Sequence, residues 1–291
     1  MGIARAGRVA RSDYVRGWLE GGRAGRMEYL HRYFDERMDP RELLPGARGV
    51  IVTALNYHQQ APEPAGDEPR GRVARYAWGD DYHEVVKHRL KGLVEAMRRE
   101  IEEPFEARVC VDTAPVLERE WAAAAGVGWI GKNTMVLHQD LGSYFFLGEI
   151  VTTLDLAPDA PATDHCGSCR RCLEACPTDA FPGPYEMDAS RCISYLTIEL
   201  REAIPSEFHG PMGRWIFGCD LCQEVCPFNR QAPTGETFGI RGPGPAPLLT
   251  EILSWQAGDY QAKLRGSAMK RAKLPMLRRN AAIALANAGG R

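Results

Sequence analysis

No stretch of this 291-residue chain approaches the ~18 consecutive apolar residues of a membrane-spanning helix. Its first seventeen residues, MGIARAGRVARSDYVRG, hold no apolar core and no adjacent pair of arginines. They therefore read neither as a secretory signal nor as a twin-arginine leader. Both absences predict a cytoplasmic protein with no membrane part. Acid is missing too: from Tyr260 to Arg291 there is no Asp or Glu, against eight Lys and Arg. The whole chain carries −2, the first 48 residues +3 and the last 32 residues +8, so the segment between them carries −13. Such segregation points to nucleic acid as a partner, the bland alternative being a solvated basic helix face.

Cysteine is also nearly absent, except in one place. Eight of the nine lie between Cys166 and Cys226. CGSCRRCLEACP sets Cys166, Cys169, Cys172 and Cys176 at C-x2-C-x2-C-x3-C before Pro177, the run of two-cluster ferredoxins, whose fourth cysteine serves the other cluster. Cys192 followed by Cys219, Cys222 and Cys226, closed by Pro227, reads as a stretched second run. The spacing predicts two 4Fe–4S clusters, one on Cys166, Cys169, Cys172 and Cys226, the other on Cys176, Cys192, Cys219 and Cys222. Zinc also uses paired C-x2-C motifs, but a four-cysteine run closed by Cys-Pro is not its usual spacing. Disulfides need an oxidising compartment. Cys110, in the apolar run ARVCV, reads as an inert core thiol.

Hydrophobic periodicity predicts a helix over 13–34 with Ser12 or Asp13 as cap, and a buried strand over 48–57. A Pro/Gly-rich loop over 61–71 follows. Asp80 and Asp81 precede a helix with Val86, Leu90, Leu93, Met97 and Ile101 on one face. A second buried strand falls over 107–112, and a short Ala-rich helix runs from Pro115 to Ala125. Residues 134–138 and 143–154 read as a hairpin around Asp140-Leu141-Gly142. After a Gly/Pro linker (236–247), LLTEILSW and a basic stretch ending LRRNAAIALANAG read as helices.

Several motifs need weighing. Residues 126–131 match G-x-G-x-x-G, but a helix precedes them and a strand follows, the reverse of the dinucleotide arrangement. With Lys132 they nearly form a P-loop, yet Asn133 stands where a metal-holding Ser or Thr is required. What survives is a glycine-rich loop where backbone can approach a large flat ligand. Asp81-Tyr82-His83 begins like the D-x-H-x-x-G corrinoid motif, but Val86 fills its glycine position, so His83 reads as a surface histidine. Asp112 sits where a strand ends and a helix begins. It reads either as a helix cap or as an acid whose pKa burial raises.

RVARYAWGDDYH (72–83), VDTAPVLEREWAAAAGVGWIGKNTMVLH (111–138), GSYFFLGEI (142–150) and the cysteine module together resemble the epoxyqueuosine reductase family, over nearly the whole chain. The resemblance implies an α+β protein: a cobalamin-binding α/β domain (1–158), a ferredoxin-like module with two 4Fe–4S clusters (159–235), and a linker with a short HEAT-like helical region that holds RNA (236–291). It implies a monomeric, cobalamin-dependent enzyme that reduces epoxyqueuosine to queuosine in the tRNA wobble position, fed by an external flavodoxin- or ferredoxin-type donor. Asp112 matches the proton donor. Arg75, Val136, Leu147, Ser194, Cys219 and Asp220 fall where the corrinoid would be lined, and Arg201, Lys270, Arg271, Arg278 and Arg279 where RNA would be held. Trp78, Trp129, Tyr144 and Phe145 read as walls of that site or as plain core. Family members usually carry a further helix and strand start before GIARA and further repeats after LRRNAAIALAN. Two rival readings are a corrinoid reductive dehalogenase, which would leave the basic C-terminus without purpose, and a ferredoxin-type carrier, which would leave the α/β domain unexplained.

Overall fold

The computed structural model describes residues 1–63 and 66–289; Pro64 and Ala65 of the expected loop, and Gly290 and Arg291 at the basic end, lie outside them. The chain forms strands β1 (Gly2–Arg5), β2 (Gly49–Asn56), β3 (Arg72–Val73), β4 (Ala107–Cys110), β5 (Trp129–Ile130), β6 (Val136–Leu137), β7 (Phe145–Thr152) and β8 (Trp215–Phe217). The main sheet has the order β1-β2-β7-β4, every pair antiparallel. Strands β2 and β7 carry the branched and aromatic runs visible in the sequence, and covering both faces of the sheet buries both strands deeply. Phe145 and Val151 face a core shared with Trp121 and Ala122 of the helix Glu118–Ala124. Phe146 and Ile150 face Val86, Leu90 and Val94 of the helix Tyr82–Glu100. Asp81 caps that helix by accepting from the His83 N–H at 3.1 Å.

Four expectations need correction. The helix over 13–34 ends at Glu20, because Gly22 and Gly25 adopt φ of +70° and +59°; Ser12 and Asp13 lie inside its first turn, and no side chain caps it. The Ala-rich helix begins at Glu118 rather than Pro115. Residues 134–154 do not form a hairpin: β7 is bordered on both edges by β2 and β4, so β6 pairs with β5 instead, and only the His138–Gly142 bridge closes the turn. The glycine-rich loop faces protein, not ligand. A Cβ at Gly126 would meet Ala160 O at 2.5 Å, and one at Gly128 would meet Leu137 O at 2.3 Å.

The cysteine-bearing half is pinned to the sheet by buried polar contacts. Asn229 Oδ1 accepts from the Ser143 N–H at 2.7 Å, while Ser143 Oγ donates to Gln223 Oε1 at 2.8 Å. The Arg75 N–H donates to Asp220 Oδ2 at 2.8 Å, and its guanidinium lies 3.6 Å from the same carboxylate. Strand β3 pairs in parallel with β8, joining the 70–79 segment to the second half. The linker 236–247 is not loose: Gly71 and Val73 donate to the carbonyls of Pro247 and Pro245. The C-terminal helices Leu249–Ser254, Ala257–Lys263 and Leu274–Gly289 pack around Val73, Trp78, Ile216 and Phe217 in one core. Trp78, Trp129, Tyr144 and Phe145 are all buried core residues.

Gly142 sits at the tightest of these joins, at φ +67°, where a Cβ would fall 2.1 Å from Asn229 Oδ1. Gly142→Ala is expected to cost roughly 1–3 kcal/mol through the left-handed backbone alone, with the collision adding to it. Thermal unfolding checks this; a melting temperature equal to the parent's would contradict the docking role of the turn.

Candidate active site and cluster ligands

All nine cysteines are free thiols. Burial comes first in pushing up Cys172 (to about 11), Cys226, Cys192, Cys219 and Cys222. The neighbouring thiols that add to the effect sort them into two sets. Cys172 senses Cys226, Cys166 and Cys169, and Cys226 senses Cys166 and Cys169. Cys219 senses Cys192 and Cys176, and Cys222 senses Cys192 and Cys219 ahead of Cys172. A thiol in so dry a place is a poor acid, whereas a bound metal cluster deprotonates its ligands outright. Backbone amides are also aimed at sulfur, as from Ala180 N to Cys176 Sγ at 3.4 Å. Among the described residues no three His, Cys, Asp or Glu side chains converge on a point suited to one metal ion; a four-iron cluster, with one thiolate per iron, does not need that convergence. The donor set fits iron–sulfur clusters. Cys110, by contrast, is a buried thiol pushed up to about 12 by burial.

The near-P-loop residues serve this module. Lys132 Nζ donates to Gly167 O at 2.5 Å and Cys169 O at 2.9 Å, and Asn133 Nδ2 donates to Cys222 O at 3.4 Å. The two side chains thus hold one loop from each cysteine run.

Asp112 follows β4 at φ +44°. Because Cys110 pairs with Glu149, the register carries Asp112 towards Leu147, which itself pairs with Ala54. Its carboxylate lies in a recess, protein-lined yet 52% exposed. Asp112 Oδ2 accepts from Tyr82 Oη at 2.8 Å and from His83 Nε2 at 2.9 Å, while His83 Nδ1 lies 2.6 Å from Asp81 Oδ1. Both ring nitrogens face carboxylates that can only accept, so both must donate and the ring is an imidazolium. Burial opposes its charge, but the bonds to Asp112 and Asp81 outweigh burial and lift His83 to about 9. Burial likewise opposes the charge on Asp112, and the bonds from His83 and Tyr82 overcome it and hold the carboxyl below its ordinary value.

Three expectations are therefore revised. Asp112 caps no helix, since the helix Glu118–Ala124 starts without a side-chain cap. Nor is its pKa raised, because the bonds from His83 and Tyr82 outweigh burial; the proton resides on His83, which is an ion-pair partner and not a plain surface histidine. Tyr82 and Glu118, whose Oε1 accepts from the Asp112 N–H at 2.6 Å, were not singled out from sequence. Both stand inside the diagnostic segments, and only their proximity in space marks them.

The residues expected around a corrinoid divide. Leu147, towards which the register carries Asp112, lies half-buried, as do Ala54, Ala114, Leu117 and Leu141 at the apolar margin of the same core. Ser194 is half-buried beside Cys192. These fit the edge of a large, largely apolar cofactor. Val136 is buried within the core behind them. Arg75 and Asp220 engage each other at the seam, next to the half-buried Cys219. The expected RNA residues divide too. Arg201 is exposed and Lys270 half-exposed. Arg271 pairs with Glu199 at 2.9 and 2.8 Å, with its guanidinium 5.4 Å from the Tyr29 ring. Arg279 is drawn inward, donating to Leu200 O and Leu196 O at 2.8 Å each, and Arg278 donates to Trp255 O. These last two are structural braces, because carbonyls that lost their cation would be left unpaired.

A sheet domain carrying a carboxylate in an open recess, pinned to a module of eight closely spaced free thiols, defines an iron–sulfur oxidoreductase. Comparison with known proteins narrows the class. Residues 165–229 match the family model of the 4Fe-4S double cluster binding domain, and residues 37–113 match Epoxyqueuosine reductase QueG, DUF1730. The epoxyqueuosine reductase of Leadbetterella byssophila is 44% identical over 269 residues, covering 91% of this chain and 86% of that protein. A crystal structure of selenomethionine-labelled epoxyqueuosine reductase superposes with a TM-score of 0.93 at 31% identity, over 99% of this chain and 77% of the other. A structure of epoxyqueuosine reductase with an epoxyqueuosine-modified tRNA-Tyr stem loop gives a TM-score of 0.90 at 30% identity, with the same coverage. The chain belongs to the epoxyqueuosine reductase family.

The ion pair makes a spectroscopic prediction. In a proton-detected titration the His83 ring should lose its charge near pH 9, well above the ordinary histidine value of ~6.5. Asp112→Asn should bring that midpoint down by removing one of the two carboxylates. A His83 midpoint near 6.5 in the parent protein would contradict the arrangement.

Proposed function

We propose that this chain performs the family's reaction, reducing epoxyqueuosine to queuosine at the wobble position of tRNA, with Asp112 and His83 as its proton-delivering pair. The observation that carries this reading is the imidazolium-loaded carboxylate in an open recess, bordered by Tyr29, Arg271 and Glu199. Removing an epoxide oxygen as water forms a carbon–carbon double bond and consumes two electrons and two protons. His83 Nε2 holds a proton within hydrogen-bond reach of Asp112 Oδ2, which passes it to the departing oxygen. Tyr82 keeps Asp112 Oδ2 oriented, its own ring stacked on Phe146 at 4.2 Å. Cobalamin, when bound, supplies the low-potential metal chemistry that one-electron cluster carriers cannot supply alone. Leu147, Ala54, Leu117 and Leu141 would form its apolar side, with Ser194 at the edge of the cluster module.

On this reading two 4Fe–4S clusters occupy the crossed ligand sets, so that electrons from an external flavodoxin- or ferredoxin-type donor reach the recess. The chain divides into an α/β part (1–158), a cluster module (159–235) and a C-terminal helical part (236–291), and it acts as a cytoplasmic monomer. Arg201, Lys270, Arg265 and Lys273 are exposed or half-exposed basic side chains available to RNA phosphates, while the exposed Arg271 would first exchange its Glu199 partner.

Asp112→Asn should lower turnover roughly 100-fold or more while iron content and folding stay near the parent's. In the parent, turnover should fall as pH rises through about 9, where His83 gives up its proton. Single-turnover assays on modified tRNA across pH check both, and a fully active Asn variant would refute the proton-donor role. Cluster content is a separate test: anaerobic reconstitution should load about eight iron and eight sulfide per chain. Cys176→Ala should damage the cluster built on Cys192, Cys219 and Cys222, and site-resolved anomalous scattering with the opposite grouping would count against the crossing.

A further inference from the structure

Beneath Asp112 lie two carboxyl groups that the proposed reaction does not use. Glu149 stands on the central strand β7, opposite Cys110. It is fully buried, and neither carboxyl oxygen has a hydrogen-bond partner. Glu118 lies between it and the recess, with Oε1 accepting from the Asp112 N–H at 2.6 Å. Asp112 itself is left-handed, at φ +44°, a conformation that non-glycine residues adopt at a cost and that surrounding contacts must impose. Its carboxylate is held from one side by Tyr82 and His83. Its backbone is held from the other side by Glu118.

We propose that Glu118 is a positioning residue for the reaction: its carboxylate latches the Asp112 backbone in the left-handed turn that sets the side chain into the recess, with the unpartnered Glu149 buried behind it. The inference rests on Asp112 being the proton donor. Two ionised carboxylates cannot share so dry a place, so one of the two must carry a proton. Burial above all, and then the charge of Glu118, drives Glu149 far up, which makes it the proton holder. Burial followed by the charge of Asp112 lifts Glu118 to about 7. The other groups facing Glu118 are His83, Tyr82, Arg119, Arg37 and the Cys110 thiol. An ionised acceptor makes a bond about twice as strong as a neutral one. As pH falls through about 7, Glu118 takes up a proton and the latch weakens; above that it is fully set.

The test uses the reconstituted full-length chain with Glu118→Ala and Glu118→Gln, read by kcat and KM on modified tRNA across pH and by amide exchange of the 111–117 peptide. Glu118→Ala should lower kcat roughly 10–100-fold, the effect of misplacing a reacting group by about an ångström. KM for tRNA should change less than about twofold, since the latch does not touch RNA. Exchange of the peptide should speed up. Glu118→Gln keeps an acceptor of the same size, so it should restore most of kcat while abolishing the fall in activity below pH 7. Should the Ala variant lose iron, the Gln variant alone still decides through its pH profile. Unchanged kcat and exchange in the Ala variant, or an acid limb surviving in the Gln variant, would overturn the latch. An active Asp112→Asn variant combined with a Glu118-dependent exchange rate would instead overturn the role of Asp112 and leave the latch intact as a purely conformational device.

Discussion

The contact between Asp220 and Arg75 is the constraint on which the rest of the molecule depends. Asp220 lies between Cys219 and Cys222 and is buried, so burial pushes its carboxyl up to about 6. It stays paired because the Arg75 backbone and guanidinium both reach it across the seam. Breaking such a buried pair from one side costs roughly 3–5 kcal/mol, because the remaining charge has no partner. The seam therefore tolerates no half measures. The Asn229–Ser143–Gln223 network and the Lys132 and Asn133 bonds extend the same logic along the interface.

That rigid join explains why the recess can remain open. Asp112 keeps substantial solvent exposure, yet its orientation is set from several directions by elements that do not depend on a bound ligand. Tyr82 and His83 sit in the first turn of the helix Tyr82–Glu100, and Asp81 anchors that turn while also binding the His83 ring. One aspartate thus serves as both a helix cap and the outer member of a charge chain. With the proton on the imidazolium and not on the carboxyl, one stays within hydrogen-bond reach of Asp112 at neutral pH without a hydrophobic pocket around the carboxylate.

The iron–sulfur domain was legible from spacing alone, because a C-x2-C-x2-C-x3-C-P run has few other uses, and the family model covers the same stretch, residues 165–229. The main strands were legible because β2 and β7 are continuous branched or aromatic runs. The failures have physical causes. The Gly22 and Gly25 turn interrupts an otherwise helical pattern, and local periodicity cannot register a left-handed backbone. The false hairpin arose because sequence neighbours seemed natural partners, whereas β7 was already paired on both edges. Lys132 and Asn133 looked like an imperfect nucleotide loop, and their carbonyl partners lie 35 to 89 residues away. Arg278 and Arg279 looked like a basic face because charge counts carry no direction; the fold turns both guanidinium groups towards main-chain carbonyls.

The turn that ended the first helix early has a wider effect. Gly25 lies so close to the Tyr195 ring that a Cβ would fall 2.6 Å from it, and the Arg26 N–H donates to Tyr195 Oη at 2.9 Å. Tyr195 belongs to the helix Ile193–Ile198, which begins directly after Cys192. The loop resting on it continues to Tyr29, at the border of the recess. The border of the recess is thus only as ordered as the short helix that begins beside Cys192, so a disturbance at that cysteine is carried through Tyr195 to the entrance.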